Sequence, residues 1–170
     1  MDGSQANGIP PVSQELLTLG NPVVDATQPD TSQEIQFVDT SRCFTVSGEV
    51  TAVSVWVART SQQGQKMQIY RPADGNEYQL VSETESLDYP DEGRQRRVLK
   101  TPLGFLKGDC VGWAHTGQGT IDFSYGGNDV RWKYGIEDVG STILFDGGSS
   151  RTYSYELEYV VGVTWAAMRA

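Results

Sequence analysis

YSYELEYVVGVTW, residues 153–165, is the stretch of this 170-residue sequence that decides the fold class. Its odd positions are all aromatic or aliphatic, whereas its even positions begin with a serine and two glutamates. Because the side chains of a β-strand alternate between two faces, this pattern predicts one long strand with one buried face. A helix would wind the same residues around its whole surface, so the stretch indicates an all-β protein.

The same alternation recurs in short segments from about residue 34 onward. In residues 120–125, for example, Ile121, Phe123 and Tyr125 share one face, and a glycine-containing turn follows at residues 126–129. About ten such segments, separated by turn residues, predict an antiparallel, jelly-roll-like β-sandwich over residues 34–170.

Residues 1–33 differ from the rest, because they contain four prolines and no basic residue. This composition predicts an extended acidic arm or linker. An extended segment of this kind can add as a strand to the open sheet edge of a neighbouring subunit, which would make the protein a homo-oligomer. An arm that makes no contact is the alternative. The candidate assembly contacts are the apolar residues scattered along the arm, namely Val12, Leu16, Leu17, Leu19, Val23 and Val24.

Charge and hydropathy narrow the classes of partner. The formal net charge is −9, and an acidic surface repels phosphate backbones, so we expect no nucleic-acid partner. No apolar run reaches the roughly 18 residues of a membrane span, so we expect no membrane insertion. The first residues lack the basic and apolar pattern of a signal peptide, which fits either a protein that is not secreted or a mature chain.

The two cysteines, Cys43 and Cys110, both lie in predicted strands. Two free thiols buried as small apolar side chains fit this placement. A single disulfide fits it equally well and would favour an oxidising compartment. The sequence leaves both alternatives open.

Catalytic and metal-binding patterns are weak, so we expect no catalytic residue and no cofactor. His115 is the one histidine, and no nucleophile elbow accompanies it. A hydrolase using Glu156 and Glu158 is an alternative, but carboxylates two residues apart are common on solvated strand faces. Acidic loops, such as the one with Asp88 and Asp91, leave a structural calcium ion as a minor alternative.

Aromatic residues provide the strongest argument for ligand binding. Trp56 alternates with the row formed by Val53, Val55 and Val57, which places its ring on the opposite face of that strand. An exposed ring of this kind stacks on sugars, because its flat apolar face gains from leaving water. Trp56 and Trp113 are therefore the candidate residues of a carbohydrate-binding module.

One resemblance covers about residues 43–125. The segments that carry it are Cys43–Val46, Val53–Val57, Met67–Pro72, Tyr78–Val81 and Lys107–Trp113. Together they resemble a β-sandwich module of extracellular adhesive and matrix proteins of invertebrate animals. The resemblance implies an extracellular, non-catalytic module and carries over no catalytic residue.

These observations together predict a non-enzymatic structural or adhesive β-sandwich that self-assembles through its N-terminal arm. A carbohydrate-binding module is one alternative. A viral or phage coat or decoration protein is another, since such proteins also combine an arm with a jelly roll.

Overall fold

A computed structural model describes residues 16–26, 28–58 and 64–162 of the chain. Within these ranges every regular element is a β-strand, which confirms the predicted all-β class. The eleven strands are β1 (Leu16–Gly20), β2 (Ile35–Cys43), β3 (Gly48–Val57), β4 (Gln65–Pro72), β5 (Glu77–Glu83), β6 (Gly93–Phe105), β7 (Cys110–His115), β8 (Phe123–Tyr134), β9 (Thr142–Leu144), β10 (Gly147–Tyr153) and β11 (Tyr155–Val161).

The strands form two antiparallel sheets that pack face to face. The four-stranded sheet has the order β1-β11-β3-β6, and the seven-stranded sheet has the order β10-β8-β2-β7-β4-β5-β9. Four of the pairings are nested in the sequence: β1 with β11, β2 with β7, β3 with β6, and β4 with β5. This nesting is that of a jelly roll, in which one long antiparallel ribbon is rolled up, and it confirms the predicted sandwich.

Strands β8, β9 and β10 are additions to this frame, inserted between β7 and β11. β8 and β10 extend the seven-stranded sheet beyond β2, whereas β9 pairs with β5 at the opposite edge. Only Phe145 and Asp146 connect β9 to β10. Ile143 of β9 and Phe145 pack against Val38, Tyr70 and Leu80, in a second apolar cluster apart from the main core.

The two cysteines belong to this second cluster and form a disulfide. Cys43 and Cys110 are partners in the β2–β7 pairing, and the Cys43–Cys110 bond joins these two strands. The question that the sequence left open is thereby answered in favour of the disulfide.

The main core lies between the sheets and is rich in aromatic rings. Trp113 and Phe37 stack with ring centroids 5.3 Å apart, and the Tyr153 ring lies 4.8 Å from that of Trp113. Tyr155 meets the same indole from the four-stranded sheet at 5.2 Å. Rings at these separations add a contribution beyond the burial of their area, so this cluster binds the two sheets together.

The stretch that decided the fold class forms two strands, where the sequence predicted one. β10 ends at Tyr153 in the seven-stranded sheet, and β11 begins at Tyr155 in the four-stranded sheet. Ser154 is the corner: its N–H donates to the carbonyl of Asp122 at 2.9 Å, and its carbonyl accepts from the N–H of Trp56 at 3.0 Å. Both tyrosines point into the core, so the alternation continues through a change of sheet. Residues 163–165 lie outside the described ranges.

In its described part, residues 16–26 and 28–33, the segment predicted as an arm contributes a strand to the sandwich. β1 pairs with β11 of the same chain, from Leu16 opposite Val160 to Gly20 opposite Glu156. Leu17 and Leu19 lie on the inner face of β1 and pack against the main core, which removes their side chains from water. The sandwich therefore begins at or before residue 16, and residues 1–15 lie outside the described ranges.

A buried polar network holds the connection between β1 and β2 inside the domain. The amide of Asn128 donates to Asn21 Oδ1 at 2.9 Å and to Asp39 Oδ2 at 3.0 Å. The Tyr155 hydroxyl donates to the same Asp39 oxygen at 2.9 Å, and Arg42 Nε donates to Asn21 Oδ1 at 2.9 Å. Burial raises the pKa of Asp39, and these hydrogen bonds oppose that rise. Since buried polar groups are costly without partners, the network fixes the position of Asn21.

Leu157→Ala is expected to lower the free energy of unfolding by about 2–5 kcal/mol, because a fully buried leucine loses its contacts and leaves a cavity. Leu157 is 0% exposed in β11, whereas Leu144 in β9 is 52% exposed. Leu144→Ala is the matched control and should change stability by only about 0.5 kcal/mol. Urea denaturation followed by tryptophan fluorescence measures both, and similar losses in the two variants would contradict the placement of β11 in the core.

Candidate functional site: the Trp56 cleft

An open cleft of about 420 Å³ lies at one end of β3. We call it the Trp56 cleft. It is assembled from four separate parts of the chain, which contribute one indole ring, three carboxylates and several small or apolar residues. The lining residues are Asp25, Pro29, Trp56, Val57, Ala58, Glu92, Gly93 and Asp122.

The backbone holds Trp56 firmly at the wall of the cleft. Its N–H donates to the carbonyl of Ser154, and its own carbonyl accepts from the N–H of Asp122, both at 3.0 Å. Trp56 pairs with Arg94 in the β3–β6 ladder. Its neighbours Val55 and Val57 are buried in the core, so strand alternation turns the indole to the other face, where it is only partly buried. This is the orientation that the sequence predicted for Trp56.

The three carboxylates of the cleft differ in their surroundings. Asp25 and Glu92 are exposed, whereas Asp122 is only 2% exposed. Asp122 Oδ2 accepts the N–H of Ala26 at 2.5 Å, which ties the β1–β2 connection to the floor of the cleft. The site therefore presents hydrogen-bond acceptors and negative charge beside one aromatic face.

The carboxylates considered for hydrolysis, Glu156 and Glu158, do not line the cleft. Glu158 is bound by the guanidinium of Arg96, whose Nε and Nη2 donate to the two carboxylate oxygens at 2.6 and 2.8 Å. These hydrogen bonds hold the pKa of Glu158 below its usual range. A carboxylate engaged in this way is part of an ion pair on the sheet face.

Trp113 does not meet the expectation of a second sugar-binding ring. Its side chain is 1% exposed, and it is surrounded by Phe37, Tyr153 and Tyr155. Its strand, β7, lies in the middle of the seven-stranded sheet, and its side chain lies in the core, where a ligand cannot reach it.

The candidate assembly residues are divided between the core and the surface. Leu17, Leu19 and the 9% exposed Val23 are engaged within their own domain. Leu16 and Val24 are 56% and 53% exposed. Val12 lies outside the described residues.

Acidic loops do not come together as a metal site in the part of the chain that the structure describes. Within it, no group of three or more His, Cys, Asp or Glu side chains is placed to hold a metal ion. The loop with Asp88 has another role, because the carbonyl of Asp88 accepts two hydrogen bonds from the Arg97 guanidinium at 2.6 and 2.9 Å.

Two other concavities are less suited to a sugar. A groove of about 570 Å³ between β5 and β6 carries charged side chains such as Glu83 and Lys100, and no aromatic ring lines it. A smaller cavity of about 190 Å³ is lined by His115, among other residues, and lies at the end of β7. The Trp56 cleft combines an aromatic wall with hydrogen-bonding groups, so it is the candidate site.

Comparison of the chain with protein-family models, with curated proteins and with solved structures yields no match. In the described ranges, no helix has the length and apolarity needed to cross a membrane. The candidate site therefore depends on its own geometry and chemistry.

Sequence reasoning identified the ring of this cleft and missed its carboxylates. Asp25 and Asp122 are 97 residues apart in the sequence, and no local spacing connects them. The one available signal was the alternation in residues 120–125, which turned Asp122 away from the apolar row.

His115 should make stability depend on pH. It is 4% exposed, and Nδ1 lies 2.7 Å from the carbonyl oxygen of Gly117. Because a carbonyl only accepts, Nδ1 carries the proton and the buried Nε2 is bare; Nε2 has no hydrogen-bond partner among the described residues. Burial lowers the pKa of His115 below the ordinary value for histidine of about 6.5, and the Gly117 carbonyl and the charge of Asp30 partly oppose this.

The unfolded chain therefore binds this proton more readily than the folded domain does. The contribution of neutral His115 to the free energy of unfolding is fully present above about pH 6.5. It should fall as the pH drops through that value towards the lower pKa of the folded state. Urea unfolding between neutral and mildly acidic pH measures the slope. His115→Gln, which does not titrate, should flatten it; an equal slope in both proteins would contradict a buried neutral histidine.

Proposed function

We propose that this domain is a non-enzymatic glycan-binding module whose ligand lies in the Trp56 cleft. The observation that carries the proposal is the placement of a partly exposed indole beside three carboxylates in one open cleft. Self-assembly through the N-terminal arm is less well supported, because Leu17 and Leu19 pack in their own core.

The chemistry of a sugar ring matches both parts of the cleft. One face of a pyranose carries C–H groups, which pack against an aromatic ring and remove apolar surface from water. The ring hydroxyls donate hydrogen bonds, and the exposed carboxylates of Asp25 and Glu92 accept them. A cleft of about 420 Å³ has room for one or two sugar units, since small-molecule sites span roughly 300–1,000 Å³.

The charge of the cleft favours some glycans over others. The exposed carboxylates of Asp25 and Glu92 repel sulfate and uronic acid groups held in the cleft, because the charges then lie within the Debye length of about 8 Å. The proposed ligands are therefore neutral or amino sugars.

A secreted location is part of the same proposal. The Cys43–Cys110 disulfide supports it, because such bonds persist in oxidising compartments and are rare where thiols are kept reduced. Extracellular glycans would be accessible to a domain in that location.

The test is binding of neutral, amino and sulfated oligosaccharides on a glycan array, followed by calorimetry on the best ligands. We expect the wild-type chain to bind neutral or amino sugars, and Trp56→Ala to weaken that binding roughly tenfold or more, as loss of a central aromatic contact does. Glu92→Gln should weaken binding less, because the amide keeps one acceptor oxygen.

Tyr125→Ala is the matched control, since Tyr125 is an aromatic side chain 69% exposed outside the cleft. Its binding should equal that of the wild type. The proposal fails if the wild type binds no glycan, or if Trp56→Ala and Tyr125→Ala behave alike. Release of new reducing ends by the wild-type protein would contradict its non-enzymatic part.

A further inference from the structure

The four edge strands of the two sheets differ in how well they are protected against pairing with another chain. A free strand edge presents unpaired N–H and C=O groups, and proteins commonly protect it with charge, proline, bulges or short length. The edges among the described strands are β1 and β6 in one sheet and β10 and β9 in the other.

β6 and β9 are protected in the expected ways. β6 carries the basic residues Arg94, Arg96, Arg97 and Lys100, contains Pro102, and its pairing with β3 is interrupted by a register shift. β9 is only three residues long. β1 has five residues, and the residues that precede it lie outside the described ranges.

β10 has fewer of these protections: its pairing with β8 shifts register between Ser150 and Arg151, as that of β6 with β3 does, but the strand is neither short nor interrupted by proline. Its seven residues, GGSSRTY, include no proline, lysine or acidic side chain. At about 3.4 Å per residue the strand offers an edge of roughly 24 Å. Gly148 and Ser150 are exposed, whereas Gly147 and Ser149 are partly buried.

The one charge of β10 is turned away from the edge. The Arg151 guanidinium lies 4.5 Å from the Phe123 ring centre and 4.7 Å from that of Trp132. It also donates to the Tyr153 hydroxyl at 2.9 Å and lies 3.8 Å from Asp30. These contacts hold the Arg151 guanidinium on the inner face of the sheet, so its charge does not protect the free edge of β10.

The surface beside β10 has the composition of a protein interface. Tyr125 and Tyr134 of β8, the strand that pairs with β10, are 69% and 62% exposed. Tyrosine, tryptophan and arginine are the residues enriched in interfaces. Two acids lie nearby. The exposed Asp146 directly precedes β10, and Asp129, which pairs with Ser150 in the β8–β10 ladder, forms an ion pair with Arg131 at 3.3 Å.

We propose that β10 pairs antiparallel with β10 of a second copy of this chain, about a two-fold axis through Ser150. A second copy is the fitting partner because an antiparallel edge is self-complementary under a two-fold axis, so each copy satisfies the other's unpaired groups. Each copy carries a net charge of −9, and an edge without acidic side chains is where two copies approach with least repulsion. The pairing joins two seven-stranded sheets into one and leaves both Trp56 clefts open.

The experiment is sedimentation equilibrium of the full chain over a concentration series, with hydrogen exchange of the β10 amides at the same concentrations. The wild type should reach twice the monomer mass, and protection of the β10 amides should rise in parallel. Ser150 is the central residue of β10, so Ser150→Lys places like charges opposite each other and should weaken the dimer roughly tenfold or more. Thr142→Lys, an exposed residue of β9, adds the same charge elsewhere and should leave the dimer unchanged.

A charge-swap pair separates this prediction from misfolding. Ser150→Lys and Ser150→Asp should each be monomeric alone, and an equimolar mixture should form the heterodimer. A monomeric wild type at all concentrations overturns the proposal, as does a dimer that both Ser150 variants retain. Concentration-independent protection of β10 in a monomer also overturns it, because part of the same chain would then cover the edge.

Discussion

The insertion of β11 between β1 and β3 is the constraint on which the rest of this structure depends. Three strands distant in the sequence meet there, and the chain enters β11 directly from the other sheet through the Ser154 corner. Without that corner, Tyr153 and Tyr155 could not approach Trp113 from opposite sides of the core. The same corner supports the cleft, since Ser154 and Asp122 hold both backbone polar groups of Trp56.

Local alternation was sufficient to predict the class of fold and most strand positions, because one buried face is encoded by every second residue. It could not show the change of sheet at Ser154, because Tyr153 and Tyr155 point into the core on both sides of the bend. Alternation also could not distinguish an arm that reaches a neighbour from a strand that pairs within its own chain. Leu17 and Leu19 satisfy either pattern, and only the long-range pairing of β1 with β11 decides between them.

In the candidate site too, local sequence predicts the placement of some residues, whereas that of others depends on long-range packing. The orientation of Trp56 follows from its neighbours in β3, so the sequence predicted it. The burial of Trp113 depends on the position of β7 within a wide sheet, which no local pattern contains. The carboxylates come from the β1–β2 connection, the start of β6 and the approach to β8, and folding alone brings them together.

Backbone pairing on the two sides of Ser154 is the most direct test of this account. Cross-strand nuclear Overhauser effects in isotope-labelled protein would report it residue by residue. We predict backbone contacts of Tyr153 with Phe123 in one sheet and of Tyr155 with Val55 in the other. A continuous ladder that carries the β11–β3 pairing onward, with Tyr153 opposite Val57, would contradict the change of sheet and the core and cleft that rest on it.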